Sequence, residues 1–511
     1  MSDDTQEAVF AFLANPATHG GSAVKRVDTH AAAVFLAGEA AYKVKRAVKF
    51  PFLDFSTLDK RRAALKAEIA ANHPFAPDLY CEVIPIVRRN RALALGGDGE
   101  VVEWVLKMHR FDEEATLDRL AERGRIDATL IEALAHAVAA AHARSPVVEA
   151  PPWIAALGDY IEQDERALRE RADLFDPGAI AALTAKTRAA LARVRPLLSL
   201  RGAEGLVRRG HGDLHLGNIA LIDGRPVPFD ALEFDPLVAS GDVLYDLGFL
   251  LMDLVERKLP DAANHVLNVY LSATRHPTDL DALAALPLFM SLRAAIRAKV
   301  TAARLANAAS DQRRAIATQA KAYFALACDL IAPPAPRLVA IGGLSGTGKS
   351  VLARALAPDV APPPGAVLLR SDVERKAMFG VAENEKLPPE AYTAEIGERI
   401  YAALTDKAYR VLAAGHSAIV DAVFARDSER SAIADAANKT KVAFKGLFLT
   451  ADLAIRIARV GNRVHDASDA DAAVARTQES YALGAIDWAE IDASGTSGET
   501  LARAKAALNV G

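Results

Sequence analysis

The segment His211-Gly212-Asp213-Leu214-His215-Leu216-Gly217-Asn218 sets a carboxylate and a carboxamide five residues apart. A carboxylate there can take the proton of an acceptor hydroxyl, and a carboxamide oxygen can hold a divalent cation. These are working parts for moving a phosphoryl group. Further on, Pro228-Phe229-Asp230 closes an apolar stretch and supplies a second carboxylate for a magnesium ion. Far downstream, Gly343-Leu344-Ser345-Gly346-Thr347-Gly348-Lys349-Ser350 is a complete G-x-x-x-x-G-K-[ST], the Walker A pattern. Its backbone N–H groups can cradle phosphate at a helix N-terminus, where the dipole favours negative charge. Lys349 then reaches the β- and γ-phosphates and the Ser350 hydroxyl holds magnesium. Two nucleotide-handling patterns on one chain point to an enzyme that uses ATP and Mg2+.

Positioning the first set needs a sheet and a helical body. A glycine-bearing turn at Gly38-Glu39 joins two apolar runs, predicting a hairpin over 32–49. A helix is expected at about Thr57–Asn72, with Leu65 and Ile69 four apart and Glu68 between them. Strands are expected at Glu82–Val87 and Val101–Lys107 around a polar turn at Gly96-Gly97-Asp98-Gly99, followed by alanine-rich helices from Leu117 to Leu200. Leu221-Ile222-Asp223-Gly224 reads as a turn between two strands, and two helices are expected between Leu288 and Ile331.

Ala332-Pro333-Pro334-Ala335-Pro336 cannot continue a helix, so the chain is divided near residue 335. Residues 1–335 form the first domain, with a small lobe at about 25–108 and a helical lobe at about 109–331; residues 336–511 form the second. There an apolar strand at Leu338–Gly342 leads into the glycine loop, and Val351–Leu356 reads as the helix after it. Strands at Ala366–Arg370 and Ser417–Asp421 end in polar residues. Asp372 is then free for an acceptor hydroxyl, while Asp421 reaches magnesium directly or through water. Arg456, Arg459 and Arg463 recur along a helix, cations of the kind a closing lid brings to developing charge.

Composition narrows the class. At 511 residues the chain exceeds what one core usually organises, and 51% apolar content provides for sizeable cores. A net charge of −4 gives no electrostatic reason to expect nucleic acid or an anionic membrane as partner. Cys81 and Cys328 stand apart without metal-ligand spacing, which fits a reducing compartment. The acidic start lacks the order of a secretory signal, and no apolar run reaches the ~18–20 residues of a membrane helix. The expectation is a soluble cytoplasmic protein acting on a small molecule, its oligomeric state unspecified.

His211–Asn218, Phe229-Asp230 and Gly241-Asp242-Val243-Leu244-Tyr245-Asp246 together resemble the aminoglycoside phosphotransferase family, the small-molecule branch of the kinase-like fold. The resemblance spans most of residues 25–330 and implies an α+β bilobal domain. Asp213 corresponds to the base of the kinase H-R-D-x-x-x-x-N pattern, with Gly212 in place of its arginine. Asn218 and Asp230 become magnesium ligands, and Asp246 a structural residue. The family also requires a strand lysine on the nucleotide phosphates. Lys43 and Lys45 share one strand face, so the period of two does not choose; Lys43 is preferred, with Glu68 as ion-pair partner. Glu103-Trp104-Val105-Leu106 becomes the adenine-reading hinge. There is no G-x-G-x-x-G before Lys43, where Thr29-His30-Ala31-Ala32-Ala33 stands instead. His215 is open to either a catalytic or a structural role, and Glu233, Asp235 and Asp242 could attract a cationic acceptor or simply be solvated.

The second part is similar to the small P-loop kinases that include gluconate kinase and the polynucleotide kinase phosphate-transfer domain, with zeta-toxin-like kinases more distant. The matching positions are Gly343–Ser350, Ser371-Asp372 with Arg375, Asp421 with Arg426, and the Arg459/Arg463 region. This implies an α/β P-loop NTPase domain with a mainly parallel sheet. The whole arrangement resembles bacterial bifunctional proteins with an aminoglycoside phosphotransferase-like domain and an AAA-type ATP-binding domain. The reading is a two-site phosphotransferase acting on a hydroxyl of a small polar metabolite such as a sugar or amino sugar. The alternative is a P-loop kinase or ATPase controlled by a catalytically silent kinase-like sensor.

Overall fold

The computed structural model describes residues 3–50, 53–461 and 467–509. The chain forms two compact units, Met1–Asp159 with Leu198–Asp253, and Tyr160–Leu197 with Leu254–Gly511. The division proposed near residue 335 falls inside the second unit. The reason is local: helix Pro260–Thr274 packs on the strand Val367–Arg370, so the proline segment separates elements that pack together.

The first unit is organised by a six-stranded antiparallel sheet in the order Val24–Asp28, Ala32–Ala37, Ala40–Lys45, Glu100–His109, Tyr80–Arg89, Ala92–Leu95. The expected hairpin is there, with Val34 opposite Lys43. Helix Leu58–Asn72 starts on Thr57, whose hydroxyl accepts the Lys60 N–H at 3.3 Å. It turns Leu65 and Glu68 inward, Leu65 onto a core of Leu79, Tyr80 and Leu106. The segment expected as the hinge falls within a strand. Glu103–Leu106 lies inside strand Glu100–His109, paired to Tyr80–Arg89 along its length and to Lys43 at Leu106. The chain leaves the sheet only after His109.

Hairpin Ile219–Ile222 with Arg225–Pro228 turns at Asp223-Gly224, as expected, and pairs Ile219 with Pro228. That register brings Asn218 beside Phe229, whose N–H donates to the Asn218 carbonyl at 2.8 Å. Residues distant in sequence thus end at one hairpin mouth.

In the second unit a five-stranded parallel sheet runs in the order Val367–Arg370, Ala418–Asp421, Arg337–Gly343, Ala443–Thr450, Ala489–Asp492. Its central strand is buried from Leu338 to Gly343, as a parallel strand covered on both faces must be. Val339, Ile341, Leu352, Leu356 and Ile419 form the core between sheet and helices. Because the strands are parallel, the residues after Gly343, Arg370 and Asp421 all leave at one carboxyl edge, where ligands of open α/β sheets bind.

Candidate functional site

Asp213 leads the first constellation. Asn218 Nδ2 donates to its Oδ2 at 2.9 Å and to its carbonyl at 3.0 Å. With both amide hydrogens engaged there, the carboxamide oxygen is the Asn218 side-chain atom left to serve as a cation ligand. His215 Nδ1 accepts the Gly217 N–H at 3.1 Å, so the ring proton sits on Nε2, 3.4 Å from Asp213 Oδ2. His215 therefore both caps the short helix Leu216–Asn218 and orients Asp213.

Both candidate lysines reach Glu68. Lys43 Nζ is 2.6 Å from Glu68 Oε1 and 3.0 Å from Asp230 Oδ1; Lys45 Nζ is 2.6 Å from Glu68 Oε2 and 2.6 Å from Glu233 Oε1. Period two put both on one face, and a fully buried Glu68 forms an ion pair with each. Burial works against the Lys43 charge, but Asp230 and Glu68 outweigh it and hold the ammonium well above the usual lysine range. In turn Lys43, acting against burial, holds Asp230 below the usual carboxylate range. Asp230 is the exposed end of this network, with its side chain 52% open, and its N–H donates to the Tyr80 hydroxyl at 2.9 Å. It occupies the left-handed region at φ 61°, a conformation aspartate tolerates. An ionised, half-open carboxylate at the same hairpin mouth as the Asn218 carboxamide fits the oxygen preference of magnesium. Among the described residues no cluster of three or more His, Cys, Asp or Glu side chains forms a protein-only metal cage.

Two acidic residues considered as attractors of a cationic acceptor are otherwise engaged. Asp242 is fully buried in a two-pronged pair with Arg201, at 2.6 and 2.9 Å, and Glu233 pairs with Lys45. Asp235 accepts the Leu237 N–H at 2.8 Å in an exposed turn. The structural role expected of Asp246 fits its geometry: it is buried and accepts the backbone N–H groups of His211 and Gly212.

In the second constellation the loop Gly343–Ser350 wraps ahead of helix Lys349–Leu356. Gly346 has φ 88°, and a Cβ there would lie 2.5 Å from the Arg456 carbonyl oxygen, so no other residue fits. Lys349 Nζ donates to the Leu344 carbonyl at 3.2 Å, and Thr347 Oγ1 to the same oxygen at 2.8 Å. Ser350 Oγ donates to Asp421 Oδ2 at 2.5 Å, so hydroxyl and carboxylate meet where a magnesium ion would be shared. Arg370 Nε stands 3.3 Å from that oxygen. Asp372 lies beside them, and burial first, then the Asp421 charge, pushes its carboxyl above the usual range.

The loop opens into a cavity of about 1610 Å³ that Asp372, Arg375, Arg426 and Arg459 also line. Arg375 donates to the Ala391 carbonyl at 2.6 Å and covers the Tyr392 ring at 5.0 Å. Arg459 donates to Gly495 at 2.8 Å, and Arg426 faces Glu398 at 3.3 Å. Arg456 departs from the lid expectation: it is buried, donates to the Ser345 carbonyl at 2.9 Å and pairs with Glu479. It braces the loop instead of reaching toward a ligand. Arg463 lies outside the described residues. Sequence reasoning missed Gln478, whose Oε1 accepts the Ser345 N–H at 2.6 Å. No spacing rule connects positions so far apart.

Comparison with known proteins finds a family match in each part of the chain. Residues 59–286 match the model of the phosphotransferase enzyme family, and residues 338–482 match an AAA domain model. An uncharacterized protein of Mycobacterium tuberculosis is 28% identical over 458 residues, 88% of each chain. Among solved structures, a choline/ethanolamine kinase family protein from Mesorhizobium loti is 16% identical with TM-score 0.40, covering 64% of this chain and 99% of its own. A gluconokinase from Sinorhizobium meliloti is 19% identical with TM-score 0.26, covering 34% of this chain and 92% of its own. The chain thus joins a domain of the phosphotransferase enzyme family to an AAA-type P-loop domain.

Proposed function

We propose that the protein is an ATP- and magnesium-dependent phosphotransferase with two active sites, each moving the γ-phosphoryl group to a hydroxyl of a small polar metabolite. The observation that carries this reading is the pairing of an acceptor carboxylate with phosphate-holding groups in both places. Asp213 stands with Lys43, Asn218 and Asp230; Asp372 stands with Lys349, Ser350 and Asp421.

In the first site Lys43, held by Glu68, faces the nucleotide phosphates, and Asn218 and Asp230 would hold magnesium. Asp213 takes the acceptor proton. In the second, Lys349 and the loop N–H groups face the β- and γ-phosphates, Ser350 and Asp421 would hold magnesium, and Asp372 receives the proton. Its raised pKa suits a base that must also release that proton. Bound magnesium supplies charge neutralisation of the phosphates in each. The cavity at the second site has room for an acceptor beside a nucleotide.

The test is a screen of sugars, amino sugars, aminoglycosides and nucleosides with ATP, with and without magnesium, followed by phosphorus NMR of the products. A phosphate monoester on an acceptor hydroxyl, formed only with magnesium, is expected. ATP hydrolysis that no acceptor changes would overturn the reading in favour of a nucleotide-gated sensor.

A further inference from the structure

Among the described residues, strand Val367–Arg370 is the edge of the parallel sheet, bonded to a strand on one side only. It leads directly into helix Ser371–Met378, which carries Asp372 and Arg375. An open edge strand leaves backbone donors and acceptors for another chain to occupy. Here a helix fills that role. Asn268, on helix Pro260–Thr274, accepts the Leu368 N–H on Oδ1 at 2.7 Å and donates from Nδ2 to the Ala366 carbonyl at 3.1 Å. A carboxamide offers the same donor and acceptor as a peptide unit, so one side chain stands in for a neighbouring strand.

The mimicry is supported on both sides. Asn264 donates to the same Ala366 carbonyl at 3.0 Å, and its Oδ1 accepts from Asn268 Nδ2 at 3.1 Å. Gly365, with φ 106°, precedes the strand; a Cβ there would stand 2.7 Å from Asn264 Nδ2, so the close approach demands glycine. One turn further along the helix, Ser272 Oγ donates to Glu383 Oε1 at 2.6 Å, in the segment after the Asp372 helix. Asn264, Asn268 and Ser272 are four residues apart and share one helix face. That face meets the chain both before and after Asp372. Asp281 adds a two-pronged pair with Arg410, at 2.7 and 3.0 Å, on helix Ala394–Ala413. Residues matched to the phosphotransferase family thus pack on the sheet of the AAA-matched segment.

We propose that helix Pro260–Thr274 is a positioning element of the P-loop site, with Asn268 fixing the edge strand that aims Asp372. This rests on the reading of Asp372 as the acceptor base. The second reaction then depends on a helix that lies on the far side of the proline connector. Asn268 touches no reacting atom; it acts through Leu368 and the strand.

The test uses the full chain carrying Asn268→Leu, which keeps the branching of the side chain and removes both hydrogen bonds to the strand, and Asn268→Asp, which keeps only the acceptor for Leu368. Loss of a bond worth about 1.4 kcal/mol predicts roughly tenfold faster amide exchange at Leu368 in Asn268→Leu, with the Val339 amide unchanged. The kcat of the Lys349-dependent transfer should fall about tenfold while MgATP affinity stays within about twofold. Asn268→Asp should keep much of the Leu368 protection. Unchanged Leu368 exchange would overturn the pairing, and accelerated exchange with unchanged kcat would overturn the positioning. A wild-type chain with no Lys349-dependent transfer would overturn the kinase reading and the positioning role with it, leaving Leu368 exchange to report the pairing alone.

Discussion

Asp246 and Asp253, seven residues apart on one face of helix Val243–Glu256, hold opposite ends of the loop that carries Asp213. Asp246 accepts the N–H groups of His211 at 2.8 Å and Gly212 at 2.9 Å; Asp253 accepts that of Leu216 at 3.0 Å. His142 Nε2 lies 3.1 Å from Asp246, completing a buried polar post beneath the loop. Two turns of helix therefore set the span across which Asp213 and Asn218 are presented.

Removing this support should cost more than stability. Asp246→Ala breaks two charge-assisted bonds and is expected to destabilise the first unit by about 3 kcal/mol, and Asp253→Ala by about half that. The Asp213-dependent transfer should fall in both while the Lys349-dependent transfer is retained. Denaturant unfolding and the two acceptor assays check this; wild-type behaviour of Asp246→Ala would contradict it.

The shared carboxylate of Glu68 separates the two lysines. Glu68→Ala leaves both cations without it in a buried place and should destabilise by about 3–5 kcal/mol. Lys43→Met, which removes the cation bonded to Asp230, should cut kcat/KM for ATP at the first site by about a hundredfold. Lys45→Met should act mainly on stability, because Lys45 is buried between Glu68 and Glu233. ATP saturation curves beside thermal melts distinguish the pair, and the reverse pattern would exchange the two roles.

His416 gives the second unit an acid limit. It is buried, its Nε2 lies 2.9 Å from the Gly365 carbonyl, and burial lowers its pKa from 6.5 to about 4. A histidine whose folded pKa is depressed contributes stability that is present above 6.5 and is lost as pH falls toward 4. The loss should be on the order of 3 kcal/mol across that window. His416→Gln should flatten this part of the pH–stability profile. An unchanged slope between pH 6.5 and 4 would assign the acid lability to other groups.

Much of this was legible because phosphate chemistry uses short, fixed spacings. Asp213 to Asn218 is a local pattern, and Gly343–Ser350 follows a strand whose apolar run announces burial. The period of two placed Lys43 and Lys45 on one face without choosing between them; both reach Glu68, and the Asp230 contact sets the preferred Lys43 apart from Lys45, which pairs with Glu233 instead. The segment expected as the hinge lies within strand Glu100–His109, whose interior the buried Val105 and Leu106 mark. Arg456 and Asp242 looked like charges open to ligands; their partners, Glu479 and Arg201, are remote in sequence and become neighbours only on folding. The face of Asn264, Asn268 and Ser272 has helical spacing, but a polar stripe reads as solvated until the strand it meets is known.

The central claim is that one chain carries two separate phosphoryl-transfer sites. It is tested most directly by measuring acceptor-dependent product formation in the wild type, Asp213→Asn and Lys349→Ala, with magnesium and the acceptors found for the wild type. The account predicts that each substitution abolishes a different product, about a thousandfold in rate, and spares the other. If Asp213→Asn leaves every product unchanged while Lys349→Ala removes them all, the first unit is a binding module and the two-site account is wrong.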